Sequence, residues 1–332
     1  MDNPEIDQMV SEIANDSISG ASKLARRACE CLDAFAGWVV DNDKNETPES
    51  YKKELITIGQ DLVRAQPSMA SVINAVNEII SSTYNQSATL AAEVGFDEKK
   101  QLKYLCTYTQ SVARKYVLNS KLALEAIAND FNRLIRSKDV IMTLSASSAV
   151  EAILVEAFNG AIDFSVYIPE SRPMFEGRDM AQRLAKSGIK TILIADSAMF
   201  HFLNECSKII VGADCVTTKG IMNKIGTYGL AIAAKELKIP FYCVCERTKF
   251  IPDILSIDKL IVGHPEDQIF APGYEQKKPE KLSVKNIYFD FTPIEYVTKF
   301  LTEDGMMTNE QVIKYIKNLE ILSELATYLR SY

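Results

Sequence analysis

Apolar residues recur every three or four positions through the first part of the chain. Leu24, Ala28 and Leu32 show this spacing, which places apolar side chains on one face of a helix. The same pattern continues through a long run from about Glu98 to Arg136. We therefore predict an all-helical N-terminal domain over residues 1–137.

From Asp139 onward the pattern changes to short apolar runs separated by helical segments. Strands that alternate with helices predict βαβ crossovers and a parallel sheet buried on both faces. We predict an α/β fold in which a Rossmann-like domain with a mainly parallel sheet covers residues 138–332. The strand candidates are residues 140–142, 164–168, 191–194, 209–211 and 241–245, the helix candidates are residues 148–158, 179–186, 199–205 and 228–237, and a closing helix is predicted from Asn309 to Leu329.

Charge and composition exclude several classes of function. The 37 basic and 44 acidic side chains give a net charge of −7, and no dense block of Lys or Arg occurs. Direct nucleic-acid binding is therefore not expected, because contacts to a phosphate backbone need clustered basic residues. No run approaches the roughly 18–20 apolar residues of a membrane span, and the first residues lack the parts of a secretory signal. With seven cysteines that lack Cys-x-x-Cys spacing and only two histidines, we predict a cytoplasmic protein without a metal or cofactor.

Polar residues stand at the carboxyl ends of the predicted strands. Ser145, Asp196, Asp214 and Glu246 each follow a strand candidate. In an open parallel sheet the ligand crevice lies beyond those ends. Asp214 closes the run Ile-Ile-Val-Gly-Ala-Asp, where it either presents a carboxylate to a ligand or caps a turn.

Two cations and a helix start lie near the same strand ends. Arg172 follows the second strand candidate, and Lys224 lies just before Gly226. The small residues 145–148 open a helix candidate. Cations and a helix N-terminus together predict a phosphate clamp. No Gly-x-Gly-x-x-Gly follows the first strand and no P-loop sequence occurs, so neither a dinucleotide site nor a P-loop is predicted.

Several motifs occur in the order in which a known family carries them. Residues 169–173 read Pro-Glu-Ser-Arg-Pro, residues 211–214 read Val-Gly-Ala-Asp, and residues 223–227 read Asn-Lys-Ile-Gly-Thr. Further matches lie at residues 140–143, 194–198, 240–242, 249–250 and 289–293. With these motifs the chain resembles the family of initiation factor 2B alpha, beta and delta regulatory subunits, which also holds methylthioribose-1-phosphate isomerase and archaeal ribose-1,5-bisphosphate isomerase.

The resemblance implies a sugar-phosphate or nucleotide pocket between the two domains and dimerisation through the C-terminal domain, with a higher oligomer as an alternative. In the isomerases, a cysteine after the first strand and the aspartate of Gly-Ala-Asp carry the acid/base chemistry. Asp214 matches that aspartate, and Ser145 stands at the cysteine position. The candidate ligand-binding residues are Gly20, Ala21, Ser147, Arg172, Asp196, Asn223, Lys224, Gly226, Glu246 and Lys249.

Three departures from the family pattern bear on activity. A thiol has a pKa of about 8.5, whereas the hydroxyl of Ser145 is far less acidic. Both histidines lie outside the matching motifs, so the sequence offers no obvious base to activate this hydroxyl. Ser19 and Gln66 stand where the family carries arginines. An arginine binds phosphate through two charge-assisted hydrogen bonds, which a neutral side chain cannot replace.

We therefore favour a non-catalytic family member that binds a phosphorylated metabolite, either a sugar phosphate or a nucleoside monophosphate. The first alternative is an aldose–ketose isomerase that uses Asp214 on ribose-1,5-bisphosphate or methylthioribose-1-phosphate. The second alternative is a regulatory subunit of translation initiation that contacts a G-protein initiation factor through its helical domain.

Overall fold

The structure is a computed structural model that describes residues 3–16, 19–42, 47–91, 97–253, 261, 263–270 and 279–331. The chain folds into two compact units. Unit 1 comprises Met1–Leu122, Thr248–Leu255 and Asn318–Tyr332, and unit 2 comprises Ala123–Arg247 and Ser256–Lys317. The domain boundary after residue 137 stays a prediction, since compactness divides the chain after Leu122 instead.

Helices and strands follow the order that the apolar patterns indicate. The helices are α1 (Pro4–Asn15), α2 (Ala21–Asp41), α3 (Pro48–Ala65), α4 (Ala70–Ala91), α5 (Glu98–Phe131), α6 (Ser148–Asn159), α7 (Glu176–Lys186), α8 (Met199–Phe202), α9 (Thr227–Glu236), α10 (Asn309–Lys317) and α11 (Ser323–Ser331). The strands are β1 (Val140–Met142), β2 (Ser165–Pro169), β3 (Lys190–Ile194), β4 (Lys208–Val211), β5 (Cys215–Thr217), β6 (Gly220–Lys224), β7 (Phe241–Val244), β8 (Phe289–Pro293), β9 (Lys299–Thr302) and β10 (Gly305–Met307).

Unit 1 is built from helices whose apolar faces pack together. Leu24 and Leu32 of α2 are fully buried, and α2 and α3 both pack against α4. The helix starts carry the side chains that such ends require. Asn3 accepts the backbone N–H of Ile6 at the start of α1, and Thr47 forms a capping box at the start of α3. The helical character predicted for the first part of the chain is confirmed. No helix in the described ranges has the length and apolar character of a membrane span.

In unit 2, the described strands form two sheets. The larger has the order β10-β9-β7-β4-β1-β2-β3, and its pairs are parallel except for β9 with β10. Helices α6 and α7 pack on it, with Val150 and Leu184 in the same apolar cluster as Ile141 and Val166. The predicted Rossmann-like α/β class with a mainly parallel sheet is confirmed.

The second sheet of unit 2 is antiparallel and has the order β5-β6-β8. The polar character of residues 223–227 predicts a loop, but Asn223 and Lys224 end a buried strand. Gly220 permits this pairing, because a Cβ there would lie 2.1 Å from the carbonyl oxygen of Thr292 on β8. The loop prediction is therefore wrong for the first two residues of the motif.

The closing helix predicted from Asn309 to Leu329 is also wrong, because it is two helices, α10 and α11. Between them the backbone binds a side chain of α4 instead of continuing the helix. Asn77 accepts the N–H of Leu322 at 2.8 Å and donates to the carbonyl oxygen of Glu320 at 3.1 Å. A tertiary contact thus ends the helical run.

Candidate functional site

The strand order of the larger sheet reverses at β1, which lies between β2 and β4. Ligands of open α/β sheets bind beyond the carboxyl ends of the strands at such a point. The loops that follow β1 and β4 approach each other closely here. A Cβ on Gly212 would lie 2.6 Å from Oγ of Ser147, so glycine is needed after β4 for the two loops to meet.

Ser145 follows β1 with a left-handed backbone, φ +67°. Its N–H donates to Oγ of Ser171 at 3.0 Å. Across the described residues, the Ser145 hydroxyl has no hydrogen-bond partner. His201 packs edge-on against Phe202 on α8, with ring centroids 4.9 Å apart. The other histidine lies at Tyr288, as described below. Ser147, in contrast, caps α6 by accepting the N–H of Val150.

Asp196 holds the turn that follows β2. Its two carboxylate oxygens accept the backbone N–H groups of Ser171, at 2.7 Å, and Arg172, at 2.8 Å. The guanidinium of Arg172 donates to the carbonyl oxygen of Ile269 at 2.9 Å and lies over the ring of Phe175. The structure therefore brings Asp196 and Arg172 together, with the carboxylate in a structural role.

Lys224 ends β6 and is almost fully buried, with 2% of its surface exposed. Its Nζ donates to Oε1 of Glu176 at 2.8 Å and lies 5.2 Å from the centre of the Tyr288 ring. The cation predicted to bind phosphate thus has an internal counter-ion from the first turn of α7. Glu176 is not among the residues that the sequence predicts for the site, because an acidic residue at a helix start commonly interacts with the helix dipole.

A polar cluster surrounds this ion pair. The ring of His264 stacks flat on that of Tyr288, with centroids 3.4 Å apart. Burial and the charge of Lys224 lower the pKa of His264, so its imidazole is neutral at pH 7. Tyr288 donates to Oε1 of Gln268, and burial raises the pKa of Tyr288. Among the described residues, three buried atoms of the cluster lack a hydrogen-bond partner: Glu176 Oε2, His264 Nε2 and Asn286 Oδ1.

The start of α9 contains two further candidate residues, Asn223 and Gly226. Nδ2 of Asn223 donates to Oγ1 of Thr227 at 3.0 Å. The carboxylate of Asp290 on β8 accepts the N–H groups of Gly226, at 2.8 Å, and Tyr228. Asp290 therefore caps α9, and its burial raises its pKa from 3.8 to about 6.

Asp214 and Glu246 lie at the carboxyl ends of β4 and β7. The N–H of Asp214 donates to the carbonyl oxygen of Met222 at 2.9 Å, which opens the β5–β6 hairpin. Glu246 is 1% exposed.

Three candidate residues belong to unit 1, namely Gly20, Ala21 and Lys249. Their place in a ligand site stays a prediction. No cluster of His, Cys, Asp and Glu within the described ranges could hold a metal ion.

The family model of the initiation factor 2 subunit family (IF-2B) matches residues 17–309. The chain belongs to this family. Ribose 1,5-bisphosphate isomerase of Thermococcus kodakarensis is 30% identical over 305 residues, which cover 91% of each chain. A protein of Pyrococcus furiosus named as translation initiation factor eIF-2B subunit 2-like is 31% identical and covers 90% of this chain and 95% of its own. Among solved structures, translation initiation factor eIF-2B of Pyrococcus horikoshii OT3 superposes with a TM-score of 0.74 at 28% identity, over 92% of this chain and 97% of that chain.

In this IF-2B family chain, the two positions where the resemblance implies arginines serve the structure of unit 1. Nε2 of Gln66 donates to the carbonyl oxygens of Ile13, at 2.8 Å, and Asp16, at 3.2 Å. The N–H of Ser19 donates to the carboxylate of Asp16 at 2.8 Å. Arg27 binds the same carboxylate. Gln66 and Ser19 thus fix the end of α1.

Proposed function

We propose that this IF-2B family protein binds a phosphorylated small molecule, a sugar phosphate or a nucleoside monophosphate, at the carboxyl edge of the unit 2 sheet without isomerising it. The observation that carries the proposal is the serine at position 145, whose hydroxyl makes no hydrogen bond to a base among the described residues. Without a thiol or an activating base, this position cannot exchange a proton near neutral pH. Asp214 alone is half of the acid/base pair that the family resemblance implies.

Arg172, in the turn that follows β2, supplies a cation for binding. It is only partly buried, and its guanidinium has one hydrogen bond, to a carbonyl oxygen, so N–H groups remain for a phosphate. The capped N-terminus of α6 lies after β1 and adds the positive end of a helix dipole. These two features favour an anionic ligand at the edge of unit 2.

The binding test is thermal unfolding with ribose-1,5-bisphosphate, methylthioribose-1-phosphate and adenosine monophosphate. At least one compound should raise the melting temperature of the wild-type protein, and Arg172→Gln should remove most of that increase. Arg183→Gln is the matched control, because Arg183 is exposed and binds Glu151 near the other end of α7. The proposal fails if none of the compounds changes the melting temperature.

The test of turnover is incubation of the pure protein with the two sugar phosphates, followed by detection of the ketose. We expect no ketose. The isomerase alternative is favoured by the 30% identical relative that bears that name and by the presence of Asp214. Ketose formation that Asp214→Asn abolishes would establish that alternative and contradict the absence of catalysis.

A role in translation initiation is favoured by the 31% identical relative named eIF-2B subunit 2-like. Under this second candidate, the protein contacts a G-protein initiation factor. The test is capture from lysate with the wild-type protein as bait, and recovery of initiation-factor subunits would support it. A cytoplasmic location belongs to the same proposal, since all seven cysteines are buried and none stands in a Cys-x-x-Cys spacing, which is typical of a reducing compartment.

We also propose that the protein forms a homodimer through unit 2. Phe200, Tyr228 and Ile232 are exposed there, by 46%, 37% and 44%. The ring of Phe200 lies against α9 at Gly229, where an added Cβ would be only 3.3 Å from the Phe200 ring. Contiguous exposed apolar groups favour a protein interface. Native mass spectrometry distinguishes monomer, dimer and higher oligomer, and Ile232→Asp should shift a dimer to monomer.

A further inference from the structure

We propose that Glu176 determines ligand specificity at this edge of unit 2. Its carboxylate serves as an internal counter-ion of Lys224, which disfavours a phosphate at that position and favours a neutral, hydroxyl-bearing group. The inference rests on the proposed function, because it concerns the same ligand site and assigns the ligand's uncharged part to the region of Lys224.

The first support is the charge balance around Lys224. An ammonium that is 2% exposed requires an anion, since an unpaired buried charge is strongly unfavourable. Glu176 supplies that anion through a contact of 2.8 Å. A phosphate would have to displace this carboxylate or lie beside it, and two anions at one cation repel each other.

The second support comes from buried acceptors that lack donors in the described part of the chain. Oε2 of Glu176 and Oδ1 of Asn286 are both buried without a hydrogen-bond partner. The orientation of the Asn286 amide is fixed, because its Nδ2 donates to the carbonyl oxygen of Pro265 and to Oε1 of Gln268. Buried acceptors require donors.

Each of these two oxygens therefore calls for a hydrogen-bond donor. Sugar hydroxyls donate hydrogen bonds, whereas the oxygens of an ionised phosphate only accept them. The neutral imidazole of His264 stacks on the Tyr288 ring within this cluster, and a neutral imidazole can either donate to or accept from a hydroxyl. The cluster thus matches a polyol more closely than an anion.

The deciding variant is Glu176→Gln, which keeps the size of the side chain and removes its charge. Lys224 then lacks a counter-ion, and inorganic phosphate should take that place. We expect the apparent Kd for phosphate, measured by thermal unfolding against chloride at equal ionic strength, to fall roughly tenfold or more relative to wild type. The double variant Glu176→Gln/Lys224→Met should lose this gain.

The matched control is Glu170→Gln, which makes the same chemical change at a carboxylate paired with the exposed Arg178 of α7. It should leave the affinity for phosphate at the wild-type value. Comparison of ribose 5-phosphate with ribose gives a second measure, because Glu176→Gln should increase the preference for the phosphorylated sugar.

An equal affinity for phosphate in wild type and Glu176→Gln would overturn the proposal, as would a gain that persists in the double variant. A Glu176→Gln protein that folds only with phosphate present supports the proposal, and one that phosphate does not rescue contradicts it. If no phosphorylated compound stabilises the wild-type protein but Glu176→Gln gains phosphate binding, the proposed function fails while the exclusion of phosphate from Lys224 by Glu176 stands, because this comparison uses inorganic phosphate.

Discussion

Asp290 combines a partly buried carboxylate with two backbone hydrogen bonds at the start of α9. Its pKa is raised from 3.8 to about 6, mainly by burial. The folded protein therefore binds this proton more tightly than the unfolded chain does. The resulting stabilisation is fully present below pH 3.8 and is lost as the pH rises through about 6.

The residue-scale prediction is that Asp290→Asn removes this contribution to the pH dependence. Between about pH 4 and pH 6, the free energy of unfolding of the wild-type protein should fall more steeply with pH than that of the variant. Urea unfolding at a series of pH values measures the slopes. Asp179→Asn is the control, because Asp179 is exposed on α7 and should leave the slope unchanged. Equal slopes for wild type and Asp290→Asn would contradict the assignment.

Sequence patterns locate some residues of the site and not others. Ser145, Asp196 and Asp214 could be placed because each follows an apolar strand, and strand ends of a parallel sheet meet at one edge. Glu176 could not, since its partner lies 48 residues away in the chain. Nothing in the local sequence tells an ion-paired carboxylate from one that interacts only with a helix dipole.

At the scale of elements, strands flanked by helices were predictable and the hairpin was not. Strands β1 to β4 and β7 consist largely of apolar residues between turn signals, which identify buried parallel strands. Strand β6 ends on Asn223 and Lys224, whose polar side chains are typical of loops. Only pairing with β8 makes this segment a strand, and that pairing spans residues far apart in sequence.

The element-scale prediction concerns Gly220, which opens β6. In Gly220→Ala, the new Cβ would lie 2.1 Å from the carbonyl oxygen of Thr292 and 3.0 Å from Cα of Pro293, so β6 and β8 must separate. We expect a loss of about 2 kcal/mol or more in the free energy of unfolding, measured by urea unfolding, together with weaker ligand binding because β6 carries Lys224.

Gly263→Ala provides the control for this prediction. Within the described part of the chain, a Cβ at Gly263 would have no heavy atom within 4 Å, so the same substitution should change stability by only a few tenths of a kcal/mol. If Gly220→Ala were as stable as the control, the close approach of β6 to β8 would be wrong.

At the scale of the whole molecule, unit 1 is not continuous in sequence. Residues 318–332 are part of compact unit 1, although they follow all of unit 2 in the sequence. Arg64 on α3 donates to the hydroxyl of Tyr328 on α11 at 2.8 Å, and Asn77 binds the stretch before that helix. Local patterns cannot reveal such a return of the chain, because it depends on which helix faces pair. The predicted boundary at residue 137 rests on a change of pattern alone.

The whole-molecule prediction tests whether the C-terminal segment stabilises unit 1. Asn77→Ala removes the two hydrogen bonds to Glu320 and Leu322 and should lower the free energy of unfolding of unit 1 by about 1 to 2 kcal/mol. The fluorescence of Trp38, the one tryptophan of the chain, reports on this unit because it lies on α2. Asn85→Ala controls for helix propensity, since Asn85 is exposed on the same α4 helix and its replacement should be neutral or slightly stabilising. Equal unfolding midpoints for the two variants would show that the C-terminal segment contributes nothing to unit 1.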